Sequence, residues 1–190
     1  MKADEVMAVL RKTEAVLEGH FRLTSGKHSD FYIQCAMLMQ NPQEASVLCR
    51  ELAQQFAGQQ VDVVVGPATG AIIMAYEIAR ALGARALFCE RDNNVMALRR
   101  GFAIKPGERV LAVEDVVTTG GSVQEVADLA AKLGGNVVGI ASFVDRSGGK
   151  VKFEQPFKAL ATINTNVFEA DDCPLCRQGT PAIKPGSRQT

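Results

Sequence analysis

The stretch VLAVEDVVTTGGSV, residues 110–123, decides how the rest of the chain is read. Val110, Leu111, Ala112 and Val113 form an apolar run with no polar face, the pattern of a strand covered on both sides. Glu114 and Asp115 follow, then Val116 and Val117, and then Thr118, Thr119, Gly120, Gly121 and Ser122 lead into a new helical rhythm. Such a turn offers backbone N–H groups, hydroxyls and a helix dipole to a phosphate without any Lys or Arg. Its glycines let the chain approach an anion closely. The two acids, expected to point into one crevice, can accept hydrogen bonds from neighbouring sugar hydroxyls or hold a hard cation through water. The Gly-Lys-Ser/Thr ending of a Walker loop is missing, and the glycine spacing is wrong for a dinucleotide fingerprint.

Working outward, short apolar runs at 61–65, 84–89, 110–113, 137–144 and 159–163 alternate with helical patterns at 71–82 and 123–133. This alternation predicts an α/β fold with a mainly parallel sheet flanked by helices, in which ligands gather at the carboxyl ends of the strands. The polar stretch 91–105, with Asn93-Asn94 and Arg99-Arg100, reads as a β-ribbon or mobile loop. Toward the amino terminus the rhythm predicts an amphipathic helix over 4–18 stopped by Gly19, a polar loop over 23–30 and a short extended piece at 31–33. A second helix opens with Asn41 as cap and Pro42 in its first turn, with Val47, Leu48, Leu52 and Phe56 facing the core.

The 190 residues suit one domain, with residues 1–170 as its body, a hood over about 1–40, and a tail at 171–190. The 21 basic and 21 acidic side chains cancel, leaving no electrostatic footprint for nucleic acid or an anionic membrane. That favours a small ligand held by local geometry. No apolar stretch of signal-peptide or membrane-spanning type occurs, so a cytoplasmic protein is expected. Cys35, Cys49 and Cys89 read as buried thiols in a reducing compartment.

The 110–123 stretch closely resembles the phosphoribosyl pyrophosphate (PRPP) signature of type I phosphoribosyltransferases, and HFRLTSGKHSDFYIQ, residues 20–34, resembles the amino-terminal hood of the orotate phosphoribosyltransferases. The resemblance implies the type I phosphoribosyltransferase fold, with PRPP and orotate as substrates, Mg²⁺ as cofactor carried through PRPP and water, and a homodimer. It assigns the 5-phosphate to the loop from Thr118 through Thr119, Gly120 and Gly121 to Ser122, the ribose hydroxyls to Glu114 and Asp115, and further PRPP contacts to Val116, Val117 and Arg91. The pyrophosphate falls to Ala68, Thr69 and Gly70 in VVVGPATGAIIMA. Orotate falls to Thr118, to Phe31, Tyr32 and Ile33 as an apolar wall, and to Arg146 in FVDRSGG, whose guanidinium fork suits a planar carboxylate. Where the family carries a Lys before Ser-Gly, this chain has Thr24, and Lys27 is the nearby cation. The catalytic loop keeps Arg91 but has Asp92 after it, leaving Arg99 and Arg100 as its remaining cations, a departure that marks a divergent subgroup. The competing readings are a purine phosphoribosyltransferase and a non-catalytic PRPP-sensing regulator.

Cys173-Pro-Leu-Cys176 has the two-residue spacing that turns two thiolates toward one tetrahedral ion. No second such pair exists, and His20 and His28 lie far away in sequence. A structural zinc, a zinc shared across a dimer, a disulfide and a plain pair of thiols all remain open at this point.

Overall fold

The computed structural model describes residues 1–23 and 25–185. Thr24, where the hood pattern calls for a lysine, and residues 186–190 of the tail lie outside the described residues.

The chain runs α1 (Ala3–Lys12), β1 (Val16–Arg22), β2 (His28–Ile33), α2 (Cys35–Met39), α3 (Pro42–Gln54), β3 (Val63–Pro67), α4 (Ile72–Leu82), β4 (Arg85–Asp92) and β5 (Val95–Leu98). It continues with β6 (Arg109–Val117), α5 (Gly121–Lys132), β7 (Asn136–Asp145), β8 (Phe157–Thr162), β9 (Val167–Phe168), a 3-10 turn over Ala170–Asp172 and α6 (Pro174–Arg177). Six strands form one sheet in the order β5-β4-β3-β6-β7-β8, and β1, β2 and β9 form a separate antiparallel hood. All neighbours in the large sheet are parallel except β4 and β5.

The parallel arrangement follows from residues that bury both faces. On β3, Val64 joins the apolar cluster built with α1 to α4, while its neighbours Val63 and Val65 join the cluster built with α5 and the ribbon. On β6, Leu111 and Val113 take the first side and Val110 and Ala112 the second. Alternation along the strand fills two cores from one segment, which is why these runs show no polar face. The expected β-ribbon is present: β4 and β5 pair antiparallel through Asn93 and Asn94, both at positive φ (49° and 65°), the two-residue turn that Asn tolerates.

Several expectations near the amino terminus need correction. The helix expected to reach residue 18 stops at Lys12, where Glu14 takes a left-handed φ of 57° and turns the chain. Val16 and Leu17 then pair with Ile33 and Tyr32 as strand, so cross-strand partners override a helical rhythm. The polar loop is correspondingly shorter, because His28 already begins β2. Asn41 holds the N-cap position of α3 with Pro42 after it, but makes no side-chain cap bond; its side-chain amide instead donates to the Met37 carbonyl (2.8 Å) and closes the unforeseen short helix α2. Leu48, Leu52 and Phe56 are fully buried, but Val47 is 40% exposed.

Candidate active site at the carboxyl edge of the sheet

The turn between β6 and α5 is open at the surface: Thr118, Thr119 and Gly121 are exposed, with Ser122 partly so. Gly120 sits under it at φ 78°, and a Cβ there would lie 2.7 Å from the Phe153 ring and 2.9 Å from a Val151 methyl. Only glycine can both adopt that φ and let α5 start against those side chains. The first N–H groups of α5 therefore face the mouth of the turn, together with the positive end of the helix dipole.

Strand β6 runs on through Val117, so the acidic pair lies within it rather than after it. Neighbouring strand residues face opposite ways, and the two acids diverge instead of sharing one orientation. Glu114 lies on the α5 side, where burial and then the charge of Asp115 push its carboxyl up to about 7, opposed by the Val123 N–H and the Ser122 hydroxyl. Asp115 lies on the hood side, where burial raises its pKa against the pull of hydrogen bonds from the Val116 N–H (2.9 Å) and the Cys35 thiol.

A second loop meets Asp115. After β3 the chain passes through exposed Ala68, Thr69 and Gly70 into α4, with the Ala68–Thr69 peptide cis and the Ala68 N–H donated to the Cys89 carbonyl (2.7 Å). A Cβ on Gly70 would stand 3.0 Å from an Asp115 carboxylate oxygen, so the absent side chain is what brings this loop to the acid. A crevice of about 370 Å³ lies between the two loops and the ribbon, lined by Pro67, Ala68, Glu90, Arg91, Met96 and Ser122.

The ribbon supplies cations that carboxylates hold in place. Arg91 pairs with Glu125 (2.8 Å) and donates to the Asn94 carbonyl, Arg100 grips Glu90 through two bonds of 2.7 and 2.8 Å, and Arg99 stands 4.0 Å from Asp92. Of the three, only Arg91 lines the crevice.

Arg146 follows β7, and its backbone N–H donates to the Val117 carbonyl (2.7 Å), setting it beside the turn between β6 and α5. The side chain is 8% exposed, yet it bonds only hydroxyls, Thr165 Oγ1 and Ser29 Oγ, each at 3.1 Å. It forms no ion pair with a carboxylate among the described residues. Burial pulls its pKa below the ordinary value. Tyr32 lies between the two charges: burial and then Asp115 raise its hydroxyl pKa, and Arg146 lowers it. The expected apolar wall is divided, because Ile33 enters the core while Phe31 packs against it and lines a separate cavity of about 810 Å³ beside α1. That larger cavity takes none of its lining from the phosphate turn or the acidic pair. Lys27 is exposed and paired with Glu169.

Some residues at the site gave no signal in the sequence. Cys35 beside Asp115 reads as an ordinary core thiol, and Thr165 lies in an unpatterned stretch after β8. Ser29 stood within the hood motif but was not singled out. Cys173 and Cys176 lie away from the crevice, beside His20 and His28; sequence distance had wrongly separated the two pairs.

Comparison with known proteins fits this arrangement. The phosphoribosyl transferase domain model matches residues 36–176. The orotate phosphoribosyltransferase of Pelotomaculum thermopropionicum is 57% identical over 189 residues, covering 100% of both chains. This chain belongs to the orotate phosphoribosyltransferases. The Thermoanaerobacter sp. member is 55% identical over 189 residues, again covering 100% of both chains. The solved orotate phosphoribosyltransferase of Aeropyrum pernix matches with a TM-score of 0.70 at 27% identity, over 83% of this chain and 93% of that one.

Proposed function

We propose that the chain transfers the 5-phosphoribosyl group of PRPP to orotate, giving orotidine 5'-monophosphate and pyrophosphate for pyrimidine nucleotide synthesis. The observation that carries this reading is Arg146, a buried guanidinium bonded only to hydroxyls and fixed beside an open phosphate turn. A buried cation that no carboxylate bonds directly, and that only the more distant charge of Asp30 favours, is costly unless an anionic ligand completes it, and a planar carboxylated base matches its fork.

In this reading the turn from Thr118 to Ser122 binds the 5-phosphate through N–H groups and hydroxyls, and Ala68, Thr69 and Gly70 bind the pyrophosphate. Glu114 and Asp115 take the ribose hydroxyls from the two sides of β6. Tyr32 and Arg146 orient the base, with Thr118 at the border between base and phosphate. As the bond to pyrophosphate breaks, the anomeric carbon becomes cationic, and the orotate ring nitrogen attacks from the opposite face with inversion. The protein contributes positioning and fixed electrostatics. Asp115 stabilises the cationic sugar. Arg91, Arg99 and Arg100 exchange their carboxylate partners for the departing anion and exclude water when the ribbon closes. The carboxylate oxygens of Asp115, beside the Ala68 to Gly70 loop, fit a hard cation held through water, and Mg²⁺ bound with PRPP would supply charge neutralisation at the pyrophosphate.

No helix among the described residues is long and apolar enough to cross a membrane, and a cytoplasmic location accords with the free thiols Cys35, Cys49 and Cys89. Ile73 and Tyr76, 50% and 62% exposed on one face of α4, support association with a second copy. Residues 1–170 are the catalytic body and 171–190 its tail.

Orotate consumption in the presence of Mg²⁺ and PRPP, set against adenine, hypoxanthine and uracil, tests the reading. Turnover of orotate alone is expected. Turnover of a purine base, or PRPP binding with no base consumed, overturns it in favour of a purine enzyme or a regulator.

A further inference from the structure

The junction between hood and tail brings four metal-ligating side chains to one point. His20 from β1, His28 from β2, and Cys173 and Cys176 at α6 each offer one ligand atom, and all four atoms lie within 4.8 Å of one another. His20 Nε2 stands 2.8 Å from His28 Nδ1, 3.4 Å from Cys173 Sγ and 3.8 Å from Cys176 Sγ, while Cys176 Sγ stands 3.3 Å from His28 Nδ1. Around one tetrahedral zinc the ligand edges are about 3.3 Å between nitrogens and about 3.5 Å between nitrogen and sulfur, from the usual bond lengths. The three nitrogen–sulfur separations bracket that edge, and the nitrogens stand slightly inside theirs.

Two further features separate this group from a chance cluster. His20 Nδ1 lies 2.7 Å from the Thr180 carbonyl, which can only accept, so Nδ1 carries the proton and the Nε2 lone pair is turned inward. Three of the four residues are buried, His20, His28 and Cys173 at 3%, 7% and 1% exposed, while Cys176 is exposed and gives an ion access from solvent. Buried imidazoles facing a thiol and one another gain little from core packing. Two thiolates and a divalent ion make a neutral unit, so burial carries a small electrostatic penalty.

We propose that His20, His28, Cys173 and Cys176 bind one structural zinc ion within a single chain, fastening the carboxyl-terminal tail to the hood. Binding displaces the two thiol protons and leaves no open coordination position, as a structural rather than catalytic site requires. The elements it ties are too short to hold alone: α6 is 4 residues long and β9 is 2. Beyond these ligands, the described part of the tail bonds the hood through the Thr180 carbonyl on His20 and an isolated bridge between Phe21 and Ile183. The site also steadies Ser29, next to His28, which bonds Arg146; that consequence alone rests on the transferase reading.

The test is metal content of the full chain, produced with zinc in the medium and purified under reducing conditions without chelator. About one zinc per chain is expected, retained through gel filtration and released when a mercurial reagent takes the thiols. Replacement by cobalt(II) should give tetrahedral ligand-field bands with a thiolate charge-transfer band. Cys176→Ser and His28→Gln should lose the metal, and chelation should lower the Tm of the native chain but not that of Cys176→Ser. Should either variant fail to fold, the cobalt spectrum of the native chain still decides. A metal-free chain with all thiols titrating freely, a disulfide between Cys173 and Cys176, half a zinc per chain shared between copies, or a cobalt spectrum without thiolate character overturns the proposal. Orotate turnover by that metal-free chain would leave the transferase reading intact.

Discussion

As proposed, the turn after β6 and the hood–tail junction would each hold a charged ligand, in opposite ways. The turn is one contiguous stretch in which strand, acids, glycines and helix start follow within residues 110–123, and its ligand groups are chiefly backbone N–H. The junction is made of side chains, with His20 and Cys173 separated by 153 positions, and nothing local marks it. Backbone recognition leaves a motif in the sequence, whereas side-chain recognition across distant segments leaves only scattered residue types. The two regions should also fail differently: changes at the turn should cost activity and spare stability, and changes at the junction should do the reverse.

The largest effect is expected at Asp115. Asp115→Asn keeps the shape but removes the charge, and turnover should fall about 10²- to 10³-fold with the Tm within a few degrees of the parent. Equal loss of both, by steady-state kinetics and calorimetry, would make the acid a structural group and erase the contrast. Arg146→Ala should raise the KM for orotate about 10- to 100-fold, the loss of a charged fork of about 1.5–3 kcal/mol, and leave the KM for PRPP near its parent value. A matched rise in both constants would place the arginine in the scaffold. Removing metal from the junction should lower the Tm while reducing turnover only a few-fold through the loosened hood, which a thermal scan beside an assay would read.

The smallest effect is at Glu114 and concerns pH. Its carboxyl titrates near 7 in the folded protein because burial, then Asp115, disfavour the charge. The folded state therefore binds the proton more tightly than the unfolded chain does, so stability contributed by the protonated acid is present at low pH and lost as pH rises through about 7. Glu114→Gln should accordingly stabilise the ligand-free protein at pH about 8 by about 1–2 kcal/mol relative to the parent, and do little at pH about 5. Denaturant melts at the two pH values check this, and an equal shift at both would remove proton linkage as the cause.

Much of the fold was legible because one segment type carried it. Residues 63–65 and 110–113 are unbroken apolar runs and 137–144 carries one polar residue, Ser142, because the parallel sheet is buried on both faces. The hood was read poorly for the converse reason. Neither β1 nor β2 alternates buried and exposed residues, and Val16 and Leu17 look helical until Ile33 and Tyr32 pair with them. At the candidate site the phosphate turn, the Ala68 to Gly70 loop and Arg146 were legible from their motifs. The divergence of Glu114 from Asp115 was not, since it depends on β6 continuing through Val117. Lys27 pairs with Glu169, 142 positions away, a contact that no local pattern announces.

The central claim is that the turn after β6 cradles the phosphate of a phosphorylated sugar. Amide NMR shifts followed while PRPP and Mg²⁺ are titrated into the protein read it directly. The largest changes should fall on the backbone N–H groups of Thr118, Thr119, Gly120, Gly121 and Ser122, with smaller ones at Thr69 and Gly70. Saturable binding that leaves those amides unmoved and shifts the residues lining the large cavity beside α1 would contradict a phosphate site at this turn.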